Sequence, residues 1–272
     1  MLYINVKKNK LYYLHFTLGG TFNSIVIRVN KIEIMRATYF FGAVLSIAFV
    51  FTSCKKAIKP SDDITTETRQ LSGYTKLDVS DAMEVEVTFG QQEEVIVEAN
   101  SNLHQYILTD VVNGVLKIRL KNNIRIKSGS EIKIYVSATT IDQVLLDDAS
   151  RVEFINDVTT SNFEIDIDGA SRFQGGIYTG DIKVNAEGAS NVEIWGTTDS
   201  TEMKASGASN IGDFAFLINN YLEIDLSGAS KAELTCDGVM DIEVSGVSRF
   251  NYKGNGVINE LDISGASSVN KQ

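Results

Sequence analysis

Along Glu164-Ile165-Asp166-Ile167-Asp168, apolar and polar residues alternate one for one, the period-two signature of a strand with one buried face. The pattern returns at a nearly fixed interval. A tripeptide follows it at Gly169-Ala170-Ser171, Gly188-Ala189-Ser190, Gly207-Ala208-Ser209, Gly228-Ala229-Ser230 and Gly265-Ala266-Ser267, with variants at Asp148-Ala149-Ser150 and Gly246-Val247-Ser248. The central residues 149, 170, 189, 208, 229, 247 and 266 are spaced 21, 19, 19, 21, 18 and 19 apart. Seven copies at that regularity define an internal repeat.

The flanks repeat as well. Four positions before each glycine stand Val144, Ile165, Val184, Met203, Ile224, Ile242 and Leu261. Two before stand Leu146, Ile167, Ala186, Ala205, Leu226, Val244 and Ile263, and four after stand Val152, Phe173, Val192, Ile211, Ala232, Phe250 and Val269. A unit of about 19 residues is too short for a helix pair or a propeller blade. It fits one turn of an all-β, single-chain β-solenoid, a parallel β-helix-like fold, right-handed by the general preference of parallel crossovers. Equivalent residues then stack about 4.8 Å apart and bury continuous apolar columns. Glycine bends the chain at the corner. The serine column (Ser150, Ser171, Ser190, Ser209, Ser230, Ser248, Ser267) is expected to satisfy backbone groups there rather than to form a reactive hydroxyl array.

Ahead of the seven regular coils (141–272), residues 71–140 are less regular. Leu77-Asp78-Val79-Ser80-Asp81-Ala82 matches the repeat as a divergent opening coil. Strands are expected at Glu84–Phe89, Val95–Ala99, Val115–Leu120 and Glu131–Val136, with turns at Gly90-Gln91-Gln92, Asn113-Gly114 and Ser128-Gly129. This stretch predicts an irregular β-meander that caps the N-terminal end and protects it from edge-to-edge pairing.

Residues 35–54 carry a different message. Arg36 begins a short basic start, an apolar run extends from Tyr39 to Phe51, and the small residues Thr52 and Ser53 precede Cys54. These are the three regions of a secretory signal, and the run is too short for a comfortable spanning helix. A cysteine directly after the cleavage site resembles the lipobox of bacterial lipoproteins, although Phe51 replaces the usual Leu. The resemblance implies lipidation at Cys54 and attachment to a membrane through that N-terminal lipid. The plainer alternative is a signal peptide or anchor that happens to contain a cysteine. Met35 looks like a natural start, so residues 1–34 are expected to be a mis-assigned upstream extension. Residues 55–70, polar and containing the sole proline Pro60, read as a flexible tether. Lys55 and Lys56 lack the acidic residue associated with inner-membrane retention, which favours the outer membrane of the cell envelope.

Charge narrows the partners. The whole chain carries 25 basic and 35 acidic side chains. Removing the six basic residues and one acid ahead of Cys54 leaves 19 and 34, a net of −15. Such a surface repels nucleic acid and anionic headgroups. Two cysteines do not make a disulfide framework, and Cys236 reads as a small buried residue of one repeat.

Chemical signatures are sparse. His104, the only histidine after Cys54, falls in the polar stretch Asn100–Gln105 and reads as a surface loop residue. The mature chain has no nucleophile elbow, phosphate loop or dinucleotide fingerprint. The constellation that stands out is acidic: Asp147, Asp168 and Glu187 precede the glycine position on three successive coils, with Asp148 and Asp166 beside them. Stacked like charges need solvent, basic partners or a cation, so these five residues are candidate calcium ligands. The alternative is a solvated face balanced by Arg151, Arg172, Lys231 and Arg249, with no cofactor.

With Leu71-Ser72-Gly73-Tyr74-Thr75-Lys76-Leu77-Asp78-Val79-Ser80, then Glu84-Val85-Glu86-Val87, a Gly90 turn and the Gly-Ala-Ser coils, residues 71–272 resemble the putative auto-transporter adhesin, head GIN domain family. The resemblance implies an all-β solenoid in the bacterial envelope and supplies no catalytic motif. Asp81 and Asp148 depart from it where glycine is preferred, which puts those two corners in question. The expected function is a non-catalytic, adhesin-like or structural scaffold with glycan, envelope or host surface proteins as partners. The alternative is a β-helix polysaccharide-degrading enzyme acting on acidic glycans, although repeat lengths varying by only three residues leave little room for a cleft.

Overall fold

The computed structural model describes residues 3–7, 11–18, 21–28 and 56–272. They belong to two compact units, Met1–Cys54 and Lys55–Gln272. In the first, Tyr3–Lys7, Leu11–Leu18 and Thr21–Arg28 form an antiparallel sheet, with Lys7 opposite Leu11 and Leu18 opposite Thr21. The expected signal segment and Cys54 lie outside the described residues.

The second unit is a β-solenoid of stacked parallel coils. Its register reproduces the sequence columns: Val144 pairs with Ile165, Ile165 with Val184, Val184 with Met203, Met203 with Ile224, and Ile224 with Ile242. Beyond the corner, Val152, Phe173, Val192, Ile211, Ala232 and Phe250 stack in the same way. Alternation turns these columns inward, and all of these residues are buried. Each fully buried aliphatic or aromatic side chain contributes roughly 1.5–3 kcal/mol. Where a repeat is longer, the extra residues are taken up in exposed bulges at Ile155–Asp157, around Asp213 and at Asn219-Asn220, leaving the columns aligned.

At the corners, Gly169, Gly188, Gly207, Gly228, Gly246 and Gly265 have φ of +72° to +76°. Left-handed φ is one reason for glycine, and close approach of the next coil is the other. A Cβ on Gly188 would collide with the Gly169 carbonyl. The two corners without glycine form by a different route. At Asp81-Ala82 and Asp148-Ala149 both residues take positive φ, between 55° and 67°, a two-residue bend that aspartate tolerates better than most side chains. From Ser150 to Ser248 the serine column turns inward and is buried, and Ser267 in the final coil is partly exposed. Ser150 N donates to Ser171 Oγ at 3.2 Å, Ser190 N to Ser209 Oγ at 3.2 Å and Ser230 N to Ser248 Oγ at 3.2 Å. It is a structural column.

The cap is threaded out of chain order. Lys76–Val79 and Glu84–Phe89 form the opening coil beneath Gln143–Leu146 and Arg151–Phe154. Val115–Leu120 and Ile132–Ala138, later in sequence, pair parallel on its outer side. Antiparallel strands then close the end: Ile107–Val112 on Val115–Leu120, and Glu94–Asn100 on Ile132–Ala138. The hairpin at Asn113-Gly114 has both residues at positive φ (53° and 78°), as a tight I′ turn requires.

Residues 55–70, read as a tether, contain two strands. Lys56–Ile58 pairs parallel with Ile124–Ile126, and Ile64–Arg69 pairs antiparallel with Glu94–Asn100. Ile64–Arg69 gives no periodic signal because nearly all of it is exposed. Its Thr-rich backbone covers an edge that would otherwise be open.

Candidate functional site

Two of the corner acids are engaged by the backbone of the residue that follows them. Asp147 Oδ1 accepts the Asp148 N–H at 2.6 Å, and Asp168 Oδ1 accepts the Gly169 N–H. Asp166 Oδ1 accepts Asn185 Nδ2 at 2.7 Å. Asp147, Asp166, Asp168 and Glu187 do share one face, where with Asp78 and Asn185 they line a shallow concavity of about 370 Å³; Asp148 is not among its lining residues. Among the described residues, no group of three or more His, Cys, Asp or Glu is set to hold a metal ion. Of the basic column beyond the corner, Lys231 meets Glu233 at 2.9 Å and holds its carboxyl below the usual range.

His104 is not a surface loop residue. It opens a single 3-10 turn, His104–Tyr106, and is buried beneath the strand that the sequence concealed. Its Nε2 lies 3.0 Å from Thr65 Oγ1 and 3.1 Å from Thr65 O, and its Nδ1 lies 3.6 Å from Glu67 Oε2. The ring therefore ties the edge strand to the cap. Cys236 is buried as expected, and burial pushes its thiol pKa up, away from reactivity.

The larger open surface is a groove of about 850 Å³ across successive coils. The outward column Gln143, Glu164, Lys183, Glu202 and Glu223 forms one side, Asn162, Asp181, Ser200 and Tyr221 form the other, and Phe163, Ile182 and Thr201 make the floor. Lys183 is the one cation in that outward column, between Glu164 and Glu202. Gln143 Nε2 donates to Glu164 Oε2 at 2.7 Å, and Lys183 Nζ lies 3.6 Å from Glu202. The Lys204 ammonium, hydrogen-bonded to Glu202 at 2.6 Å, holds that carboxyl below the ordinary range. Tyr221 Oη donates to Asp241 Oδ2 at 2.7 Å, a bond that pushes the phenol up to about 12 and Asp241 down. The groove offers hydrogen-bonding groups in rows along the solenoid. Its signal in the sequence was present, as the outward residues between the apolar columns, but reading it needed the register.

A family model, putative auto-transporter adhesin, head GIN domain, matches residues 73–256. The chain belongs to this family. No curated protein matches it. Among solved structures, it resembles a putative adhesin from Bacteroides fragilis (19% identity, TM-score 0.74), covering 79% of this chain and 100% of that one. A putative lipid binding protein from Parabacteroides distasonis is similar (18% identity, TM-score 0.67, covering 80% and 100%). So is a putative adhesin from Parabacteroides merdae (12% identity, TM-score 0.67, covering 79% and 99%). At these identities, the likeness shows the fold alone.

Proposed function

We propose that this head GIN protein is exported, lipid-anchored at Cys54 in the outer membrane of the cell envelope, and binds surface glycans or proteins without catalysing a reaction. The observation that carries the reading is the solenoid's repeated outer face, on which polar side chains of successive coils stand in rows and form an open groove. Rows of that kind suit an extended polymer that makes the same contact on each coil. Membership of a family described as adhesins supports the same reading. The apolar run from Tyr39 to Phe51, ending at Thr52-Ser53-Cys54, supports export and anchoring.

A polysaccharide-degrading enzyme would need a general acid with a raised pKa. Glu202, in the groove, is shifted the other way by Lys204.

Fractionation of producing cells tests the anchor: Cys54→Ala is expected to move the protein out of the membrane fraction, and retention there would overturn lipidation. Adhesion tests the binding reading. Cells producing the protein are compared with cells lacking it for retention on immobilised envelope and host-matrix preparations, and equal retention on all of them would overturn the reading.

A further inference from the structure

Trp195 is the single tryptophan of the chain, and it stands partly exposed on the outer face of Asn191–Ala205. Its register partner on the preceding coil is Gly176. A Cβ there would run into both Trp195 Nε1 and Asp157 Oδ1. Glycine thus leaves a slot, and across it the indole N–H donates to Asp157 Oδ1 at 3.2 Å, a residue one coil further back. To span that distance the indole must lie over Gly176 along the sheet. On its other side stands Ala215, small and exposed, whose carbonyl accepts the Gly196 N–H at 3.2 Å. Tyr178, 39% exposed, projects from the same face two residues beyond Gly176. A large amphipathic ring is therefore latched between small neighbours with a second aromatic beside it.

The geometry points to a carbohydrate platform on Trp195 and Tyr178 that receives the apolar face of a neutral pyranose glycan. This rests on the binding reading above and names a ligand class for it. The axial C–H groups of a sugar ring carry partial positive charge and meet the negative face of an aromatic quadrupole. Asp157 at the indole N–H, and Glu193 two residues before Trp195 on the same face of the strand, can accept bonds from sugar hydroxyls and repel anionic polymers. Fixing the indole through Asp157 removes side-chain freedom before the ligand arrives.

With a single tryptophan, the emission of the purified protein reports directly on the platform. Cellohexaose or chitohexaose is expected to shift that emission and to give binding heat, with polygalacturonate giving neither. Trp195→Ala is expected to weaken calorimetric binding at least about tenfold, about 1.4 kcal/mol. Gly176→Ala, which displaces the indole while keeping it, is expected to weaken binding less. Failure of both oligosaccharides to bind would overturn the platform and leave the broader binding reading to the adhesion comparison. Full binding by a folded Trp195→Ala variant would also overturn it while upholding glycan binding elsewhere. Equal binding of polygalacturonate would overturn the neutral class.

Discussion

The carbonyl of Gly169 accepts the backbone N–H of Ala189 at 2.7 Å, one coil further along. The same bond joins Gly188 to Ala208, Gly207 to Ala229, Gly228 to Val247 and Gly246 to Ala266. The parallel ladder therefore continues through the corners and is not confined to the strands. Each glycine carbonyl points at the neighbouring coil, which is why a side chain there meets backbone that cannot move aside.

Substitution at two corners should have opposite signs. Gly188→Ala is expected to lower stability by roughly 2–4 kcal/mol, combining left-handed strain with overpacking against Gly169. Asp148→Gly, where φ is 55°, is expected to be neutral or to raise stability by up to about 1 kcal/mol. Chemical denaturation of the two variants checks the contrast.

Position in the stack should govern the cost of emptying a column. Met203, in mid-solenoid, is fully buried, whereas Leu261 of the same column is 51% exposed in the final coil. Met203→Ala is expected to cost about 2–5 kcal/mol and Leu261→Ala less than about 1 kcal/mol, read as shifts in denaturant midpoint.

Alkaline pH should loosen the cap through Tyr74. This ring is fully buried, and its Oη donates to Ser137 O at 2.7 Å. Burial, reinforced by the Glu93 charge, pushes its pKa up to about 12, above the ordinary 10. The folded state thus holds the proton more tightly. That stabilisation is complete below pH 10 and is lost as pH rises towards 12, a decline on the order of 2–3 kcal/mol. Tyr74→Phe is expected to start less stable and to show a flatter stability profile over that interval.

Arg69 should hold the edge strand in place. Its Nη1 donates to Ile107 O at 2.7 Å and Thr109 Oγ1 at 3.0 Å, and its Nη2 to His104 O at 3.2 Å. Arg69→Ala is expected to raise hydrogen exchange of the Ile64–Arg69 amides about tenfold while coils beyond Gly169 stay protected. Uniform loss of protection throughout the solenoid would contradict this local role.

The repeat was legible because each of its residues reports on one side of a strand. Ile165, Val184 and Met203 recur at the coil length, and the register follows from that alone. Ile64–Arg69 was hidden because it buries almost nothing. The placing of Val115–Leu120 outside the opening coil was hidden for another reason: both neighbours of Lys76–Val79 look equally good in local pattern. Of the candidate site, the acidic columns could be read, but not the amides that Asp147 and Asp168 accept. The slot at Gly176 was within reach, since 176 and 195 differ by one repeat, yet nothing in a single glycine announces the indole above it.

Because the backbone of a coil between Gly169 and Gly246 pairs only with the coils before and after it, no long-range closure fixes how many there must be. Adding or deleting one unit of about 19 residues changes the length of the stack by about 4.8 Å and leaves the remaining backbone pairing in kind the same. The length of the binding face is thus a quantity that this architecture can adjust in equal steps.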